Sequence, residues 1–113
     1  MLPQSVRIFV CTTPQDMRRS FDTLAVITKH ELGIDPQSGS LIAFTNKRAN
    51  RIKILWWDQN GYCVLYKRLH GALFQPPKSD GAEQKIKING SELTKLLRGV
   101  DRPRRVSRRQ RIA

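Results

Sequence analysis

Apolar residues recur along the chain in two rhythms, and each rhythm implies an element. From Ser5 to Thr12, Val6, Ile8 and Val10 alternate with Arg7, Phe9 and Cys11, the period of two expected of a strand. A helical spacing follows: Met17, Phe21, Leu24, Ala25 and Leu32, with Thr28 between them, share one face and leave Arg18, Arg19, Asp22 and Lys29 on the others. Thr13-Pro14-Gln15-Asp16 reads as the start of that helix, with Thr as N-cap, Pro at the first helical position and a carboxylate near free N–H groups. The helix is predicted to run from Pro14 to about Leu32 and to stop at Gly33. Asp35 to Gly39 carries Pro and Gly at turn spacing, and Leu41 to Thr45 then reads as a second strand.

Asn46 to Asn50 is a polar, basic loop leading into a predicted hairpin, Arg51 to Trp57 and Tyr62 to Leu69, around the turn pair Asn60-Gly61. Ile52, Ile54 and Trp56 lie on one face of its first strand, and Lys53, Leu55 and Trp57 on the other; the pattern leaves open which face is buried. Gly71 to Gly81, with two Gly, two Pro and an Asp, reads as an irregular crossing. Lys85 to Ile88 alternates Lys and Ile as a short edge strand, whose outward lysines also block edge pairing. Ser91 is expected to cap a last helix with Leu93, Leu96 and Leu97 inward, ending at Gly99. The fold class that follows is α+β. The expected architecture is a small, mostly antiparallel sheet, order β-α-β-β-β-(β)-α, with two helices packed on one of its faces. Residues 1–101 form one domain in this reading, and residues 102–113 a flexible tail. With six Arg in twelve positions and almost no apolar content, the tail cannot offset the entropy of ordering.

Charge adds a direction to this pattern. The chain carries 21 Lys and Arg against nine Asp and Glu, a formal net charge of +12 over 113 residues. Such an excess attracts polyanions, nucleic acid foremost. Basic residues cluster at the outer ends of the hairpin and in the tail. The candidate nucleic-acid contacts are therefore Lys47, Arg48, Arg51, Lys53, Lys67, Arg68, Arg102, Arg104, Arg105, Arg108, Arg109 and Arg111. The tail uses Arg throughout, whose forked donors suit phosphate. Trp57, Tyr62 and Tyr66 have two readings, core residues or stacking platforms for unpaired bases.

Catalytic chemistry finds little support. No Gly-rich phosphate loop follows a strand, His30 and His70 stand at a helix end and a turn, and Asp16, Asp35, Asp58, Asp80 and Asp101 read as caps, turns or ends. Cys11 and Cys63 form no CxxC pair, which points to reduced thiols and away from a zinc ribbon or disulfide scaffold. Catalytic residues, metal ligands and cofactors are thus expected to be none. The longest run without Lys, Arg, Asp or Glu, Pro36 to Asn46, is too short to span a bilayer, and no signal peptide opens the chain. A cytoplasmic, nucleoid-associated protein without membrane contact is expected.

Several blocks carry a family likeness: DMRRSFDTLA (Asp16 to Ala25), DPQSGSLIAF (Asp35 to Phe44), KRANRIKILWWDQNGYCVLYKRL (Lys47 to Leu69) and SELTKLLRGVD (Ser91 to Asp101). They closely resemble the TnpB accessory proteins, also called Orf-two-like proteins, of bacterial insertion sequences of the IS sixty-six type. The likeness runs from Val6 to Asp101, with Ala49 where Gly is usual and His70 where Glu is common. It implies a non-enzymatic helper of transposition, encoded beside a separate transposase, and brings no catalytic residues with it. The partners implied are DNA, at the element ends or non-specifically, and the transposase with other proteins of the element. The alternative is an adaptor that binds the transposase without touching DNA.

Overall fold

The computed structural model describes residues 6–102. Its elements are β1 (Ile8–Cys11), α1 (Phe21–His30), β2 (Leu41–Thr45), β3 (Arg51–Asp58), β4 (Gly61–Arg68), β5 (Ala72–Leu73), β6 (Lys85–Ile88), α2 (Gly90–Arg98) and β7 (Val100–Asp101). Five strands form one sheet in the order β4-β3-β2-β1-β6, and β5 pairs with β7 in a separate ribbon. The sheet is antiparallel except for β1 and β2, which run parallel, Ile8 beside Leu41. The fold is α+β, as the pattern predicts.

The helices do not share a face. Ile8, Val10, Leu41, Ala43, Ile52 and Ile54 pack with Phe74 and with Leu93 and Leu96 of α2. Cys11, Ile42, Phe44 and Leu55 pack with Leu24, Ala25 and Ile27 of α1. Alternation along each strand sends successive side chains to opposite sides, so a central strand with apolar residues at every position must be covered twice. All five residues of β2 are buried for this reason. The parallel β1 and β2 need a crossover, and α1 is the crossover helix that covers the second face.

Three local expectations are corrected. The first helix starts at Phe21, with Ser20 as N-cap, and not at Pro14. The Gln15 N–H is drawn to the Thr45 carbonyl at 2.8 Å and its side chain is buried, so the chain at Gln15 is tied to the end of β2. Asp16 still meets free N–H groups, but in an isolated turn: its carboxylate accepts from the Arg18 N–H at 2.9 Å and its carbonyl from the Arg19 N–H at 3.1 Å. The hairpin turn is centred on Gln59-Asn60, with Gln59 at φ 55° and Gly61 paired opposite Asp58. The last helix is capped by Asn89 rather than Ser91. The Asn89 side chain accepts from the Glu92 N–H at 2.8 Å, and Glu92 accepts from the Asn89 N–H at 3.0 Å, a reciprocal capping box.

At the sheet's two edges the chain behaves differently. Edge strand β6 presents Lys85 and Lys87 on the α1 side, and the Lys85 ammonium donates to the carbonyl of Leu32. The other edge, β4, joins β3 in eight paired positions and carries the chain toward the loop at residues 46–50, where the Leu69 N–H donates to Asn50 at 2.8 Å.

Candidate nucleic-acid interface

The loop at residues 46–50 is held by one side chain. Asn46 Oδ1 accepts from the N–H groups of Asn50 and Arg51 at 3.1 and 3.0 Å, while its Nδ2 donates to Asn50 Oδ1 at 2.7 Å. Ala49 sits at φ 58°, and its carbonyl accepts from the N–H of the buried Phe74 at 2.7 Å. These bonds leave the side chains of Lys47 and Arg48 exposed at the tip.

Beside this loop lie the ends of β3 and β4. Arg51 and Arg68 face each other across the strand pair, on the side that carries α1. Arg51 Nη1 donates to the Tyr66 hydroxyl at 2.9 Å. The opposite wall is the irregular segment before α1, where Arg18 closes on Asp16 through a bond of 2.6 Å and further contacts from Nε. Together they enclose an open groove of about 660 Å³ lined by Arg18, Lys47, Arg48, Arg51 and Arg68 on the basic side and by Asp16 on the acidic side.

The groove is electrostatically lopsided. Arg51 and Arg68 are like charges directly opposed, an arrangement that destabilises a strand pair unless counter-charge is supplied. The one carboxylate present is committed elsewhere: hydrogen bonds from Arg18 hold the Asp16 carboxyl down to about 2. Among the described residues, Arg18–Asp16 is the only ion pair. The other four basic side chains of the groove therefore have no acidic partner among those residues.

The expected contact residues divide into three groups. Lys47, Arg48, Arg51 and Arg68 come together in the groove. Lys53 does not join them: it is 7% exposed, its ammonium donating to the Arg19 carbonyl at 2.7 Å and lying 4.8 Å from the centroid of the Tyr66 ring. Lys53 points to the α1 side, and covering that face buried it. Lys67 is exposed but falls on the α2 side of β4, where its ammonium donates to the Leu97 carbonyl at 2.7 Å. A cation there suits the C-terminal end of a helix. Arg102 is exposed, and its N–H donates to the Gly71 carbonyl at 2.9 Å. Gly71 follows Arg68 by three residues, at most about 11 Å of chain. Arg104, Arg105, Arg108, Arg109 and Arg111 lie outside the described residues.

Arg18 is the groove residue that sequence reasoning missed, because it was assigned to an outer face of a helix that does not extend that far. Both tryptophans of β3 sit elsewhere. Trp56 borders the α2-side core, and Trp57 stands edge-on to Tyr62 with ring centroids 5.0 Å apart. His30 and His70 are exposed. Burial pushes the Cys11 thiol up, so it is a poor nucleophile. Among the described residues no three His, Cys, Asp or Glu side chains group to hold a metal ion, and no helix is long and apolar enough to cross a membrane.

What the fold and groove define is a small, strongly basic α+β protein with a cationic groove. The chain belongs to the family described as IS66 Orf2 like protein, which it matches over residues 6–107. It is 35% identical over 103 residues to Uncharacterized protein y4hO of Sinorhizobium fredii (strain NBRC 101917 / NGR234), covering 89% of this chain and 88% of that protein. Uncharacterized protein y4jC of the same organism is 32% identical over 99 residues, covering 87% and 82%. No solved structure matches the chain. Membership implies an accessory role in insertion-sequence transposition, in a family not known for catalysis.

Proposed function

We propose that this protein serves transposition by binding DNA through the groove, and that it helps assemble the transposase with the ends of the element. The observation that carries the reading is the opposed pair Arg51 and Arg68, flanked by Lys47 and Arg48, with no carboxylate paired to any of them among the described residues. A phosphate backbone supplies the missing counter-charge and releases its own condensed cations on binding. Arg102, whose N–H donates to the Gly71 carbonyl, and the arginines after it are further phosphate contacts in this reading. No step of catalysis is assigned to the protein.

The test is a gel-shift titration of element-end DNA across salt. Log affinity falls linearly with log salt, and replacing Arg48, Arg51 or Arg68 by Gln each reduces the slope by about one. Lys67→Gln, on the far face, leaves the slope unchanged. Removing residues 103–113 weakens binding to all sequences alike. Binding that is absent at low salt, or indifferent to salt, sinks the reading.

A second reading is an adaptor for the transposase, favoured by a wider cleft of about 1050 Å³ at the other end of the sheet, where Trp56 and Trp57 meet Arg7, Asp35 and Lys85. Capture of the transposase by a tail-less protein in the presence of nuclease would support it over DNA bridging.

A further inference from the structure

We infer that the groove accepts an unpaired nucleotide, its base stacked on Tyr66 and its phosphate held by the surrounding arginines, so that the ligand is single-stranded rather than duplex nucleic acid. The inference rests on the groove being a nucleic-acid site. Tyr66 is 49% exposed in the middle of a strand, lines the cationic groove, and is not free to turn. The Lys53 ammonium lies over one ring face, 4.8 Å from the centroid, and Arg51 Nη1 holds the hydroxyl at 2.9 Å. Tyr66 lines the groove and Lys53 does not.

The buried lysine gives the arrangement its rigidity. A Lys is rarely buried without a partner, and this one divides its ammonium between a carbonyl of the facing wall, Arg19, and the Tyr66 ring. It thereby fixes the wall and the ring relative to each other. A platform set in place before binding loses little side-chain entropy when a base lands on it.

Phosphates alone would not select the strand state, because duplex and single strand both offer them. Base faces do: in a duplex they are covered by neighbouring bases, and in a single strand they are open to an aromatic ring. Arg68 lies two residues from Tyr66 on the same strand face, about 7 Å along the strand. Arg51 donates to the Tyr66 hydroxyl. A base on Tyr66 therefore leaves its own phosphate between two guanidinium groups. The groove volume of about 660 Å³ falls in the range of sites that enclose small organic ligands.

The experiment is fluorescence anisotropy with the full chain and four probes of equal length: oligo-dT, oligo-rU, a mixed-sequence duplex, and an oligo-dT with abasic sites through its centre. The wild-type protein is expected to bind oligo-dT more tightly than the duplex and to lose about tenfold in affinity on the abasic strand, which keeps every phosphate. Tyr66→Ala should lower single-strand affinity by about tenfold and leave the duplex nearly unchanged, while Tyr66→Phe, which keeps the ring and loses the Arg51 tie, retains the preference. The oligo-rU arm shows whether the sugar matters. If the abasic strand binds as well as oligo-dT, stacking is absent and the inference falls, whatever the variants do. If Arg48, Arg51 and Arg68 variants bind every probe as the wild type does, the groove is not the nucleic-acid site, and the proposed function falls with it.

Discussion

Arg51 and Arg68 oppose each other without an intervening carboxylate, and at the scale of single residues this is the feature that most needs a ligand. Asp16 is the nearest candidate for neutralisation, yet its carboxylate is drawn to Arg18. Asp16→Asn removes the acid that lines the groove among the described residues and frees Arg18. Polyanion affinity should rise a few-fold at low salt and the gain should vanish at high salt, read by anisotropy. The same pair has a pH signature. The folded carboxyl titrates at about 2, below its ordinary 3.8, so its stabilising contribution is complete above the ordinary value and is lost as pH falls through about 2. The carboxyl carbon shift of Asp16, followed by NMR, should have its midpoint near the lower value. A different residue bears strain. Ala49 holds φ 58°, a left-handed conformation that costs a Cβ-bearing residue about 1 kcal/mol. Ala49 is a departure from the accessory proteins the chain resembles, in which Gly is usual at this position, and Gly takes up this conformation without that cost. Ala49→Gly should leave the loop in place and raise unfolding free energy by up to about 1 kcal/mol, or leave it unchanged where the gain is offset by backbone entropy in the unfolded chain. A denaturant melt measures it.

At the scale of elements, the two helices illustrate opposite controls. The start of α2 is decided locally by the reciprocal bonds of Asn89 and Glu92. Asn89→Ala should cost about 1 kcal/mol in a thermal or urea melt and leave groove binding unaltered. The start of α1 is decided by tertiary contacts that hold Gln15 and Arg19, which override a plausible local cap at Thr13. Past α2 the chain turns through Gly99, at φ 74°, to form β7. A Cβ there would lie 2.5 Å from Leu69 Cδ1 and 3.0 Å from the Leu73 carbonyl oxygen. Gly99→Ala should therefore separate β7 from β5 and release Arg102 from Gly71. The expected readout is faster hydrogen exchange at Arg102 and weaker binding of all nucleic acids alike.

At the scale of the molecule, a sheet covered on both faces makes two small cores act together. Phe44 lies in the α1-side core and Phe74 in the α2-side core, each almost wholly buried. Either Phe→Ala change should cost about 3–5 kcal/mol, enough to remove a large share of a small domain's stability. Each should shift one common unfolding transition seen by both far-UV circular dichroism and tryptophan fluorescence. Two separate transitions would mean that the faces fold independently. The groove depends on this cooperation, because its walls come from the segment before α1, the loop after β2 and the open end of the hairpin.

Much of this protein was determined by local pattern. The run Leu41 to Thr45 specifies a strand, and the two strand-like runs flanking Asn60-Gly61 specify a hairpin, whose turn falls one residue earlier. The spacing of Leu93 and Leu96 specifies a helix face, and the cationic excess specifies a strongly basic molecule. These follow from the chain because side-chain period and net charge are properties of neighbours in sequence. The fate of each charge was decided only in three dimensions. Lys53, Lys67 and Arg68 lie within the same basic hairpin, yet one is buried beneath a tyrosine, one rests on a helix end and one opens into the groove. Strand parity separates the last two, but which face is covered, and by what, depends on where α1 and α2 dock. Arg18 reaches the groove for the same reason: the segment that carries it is tied at Gln15 to Thr45 and at Arg19 to Lys53, bonds to residues distant in sequence that no local period records.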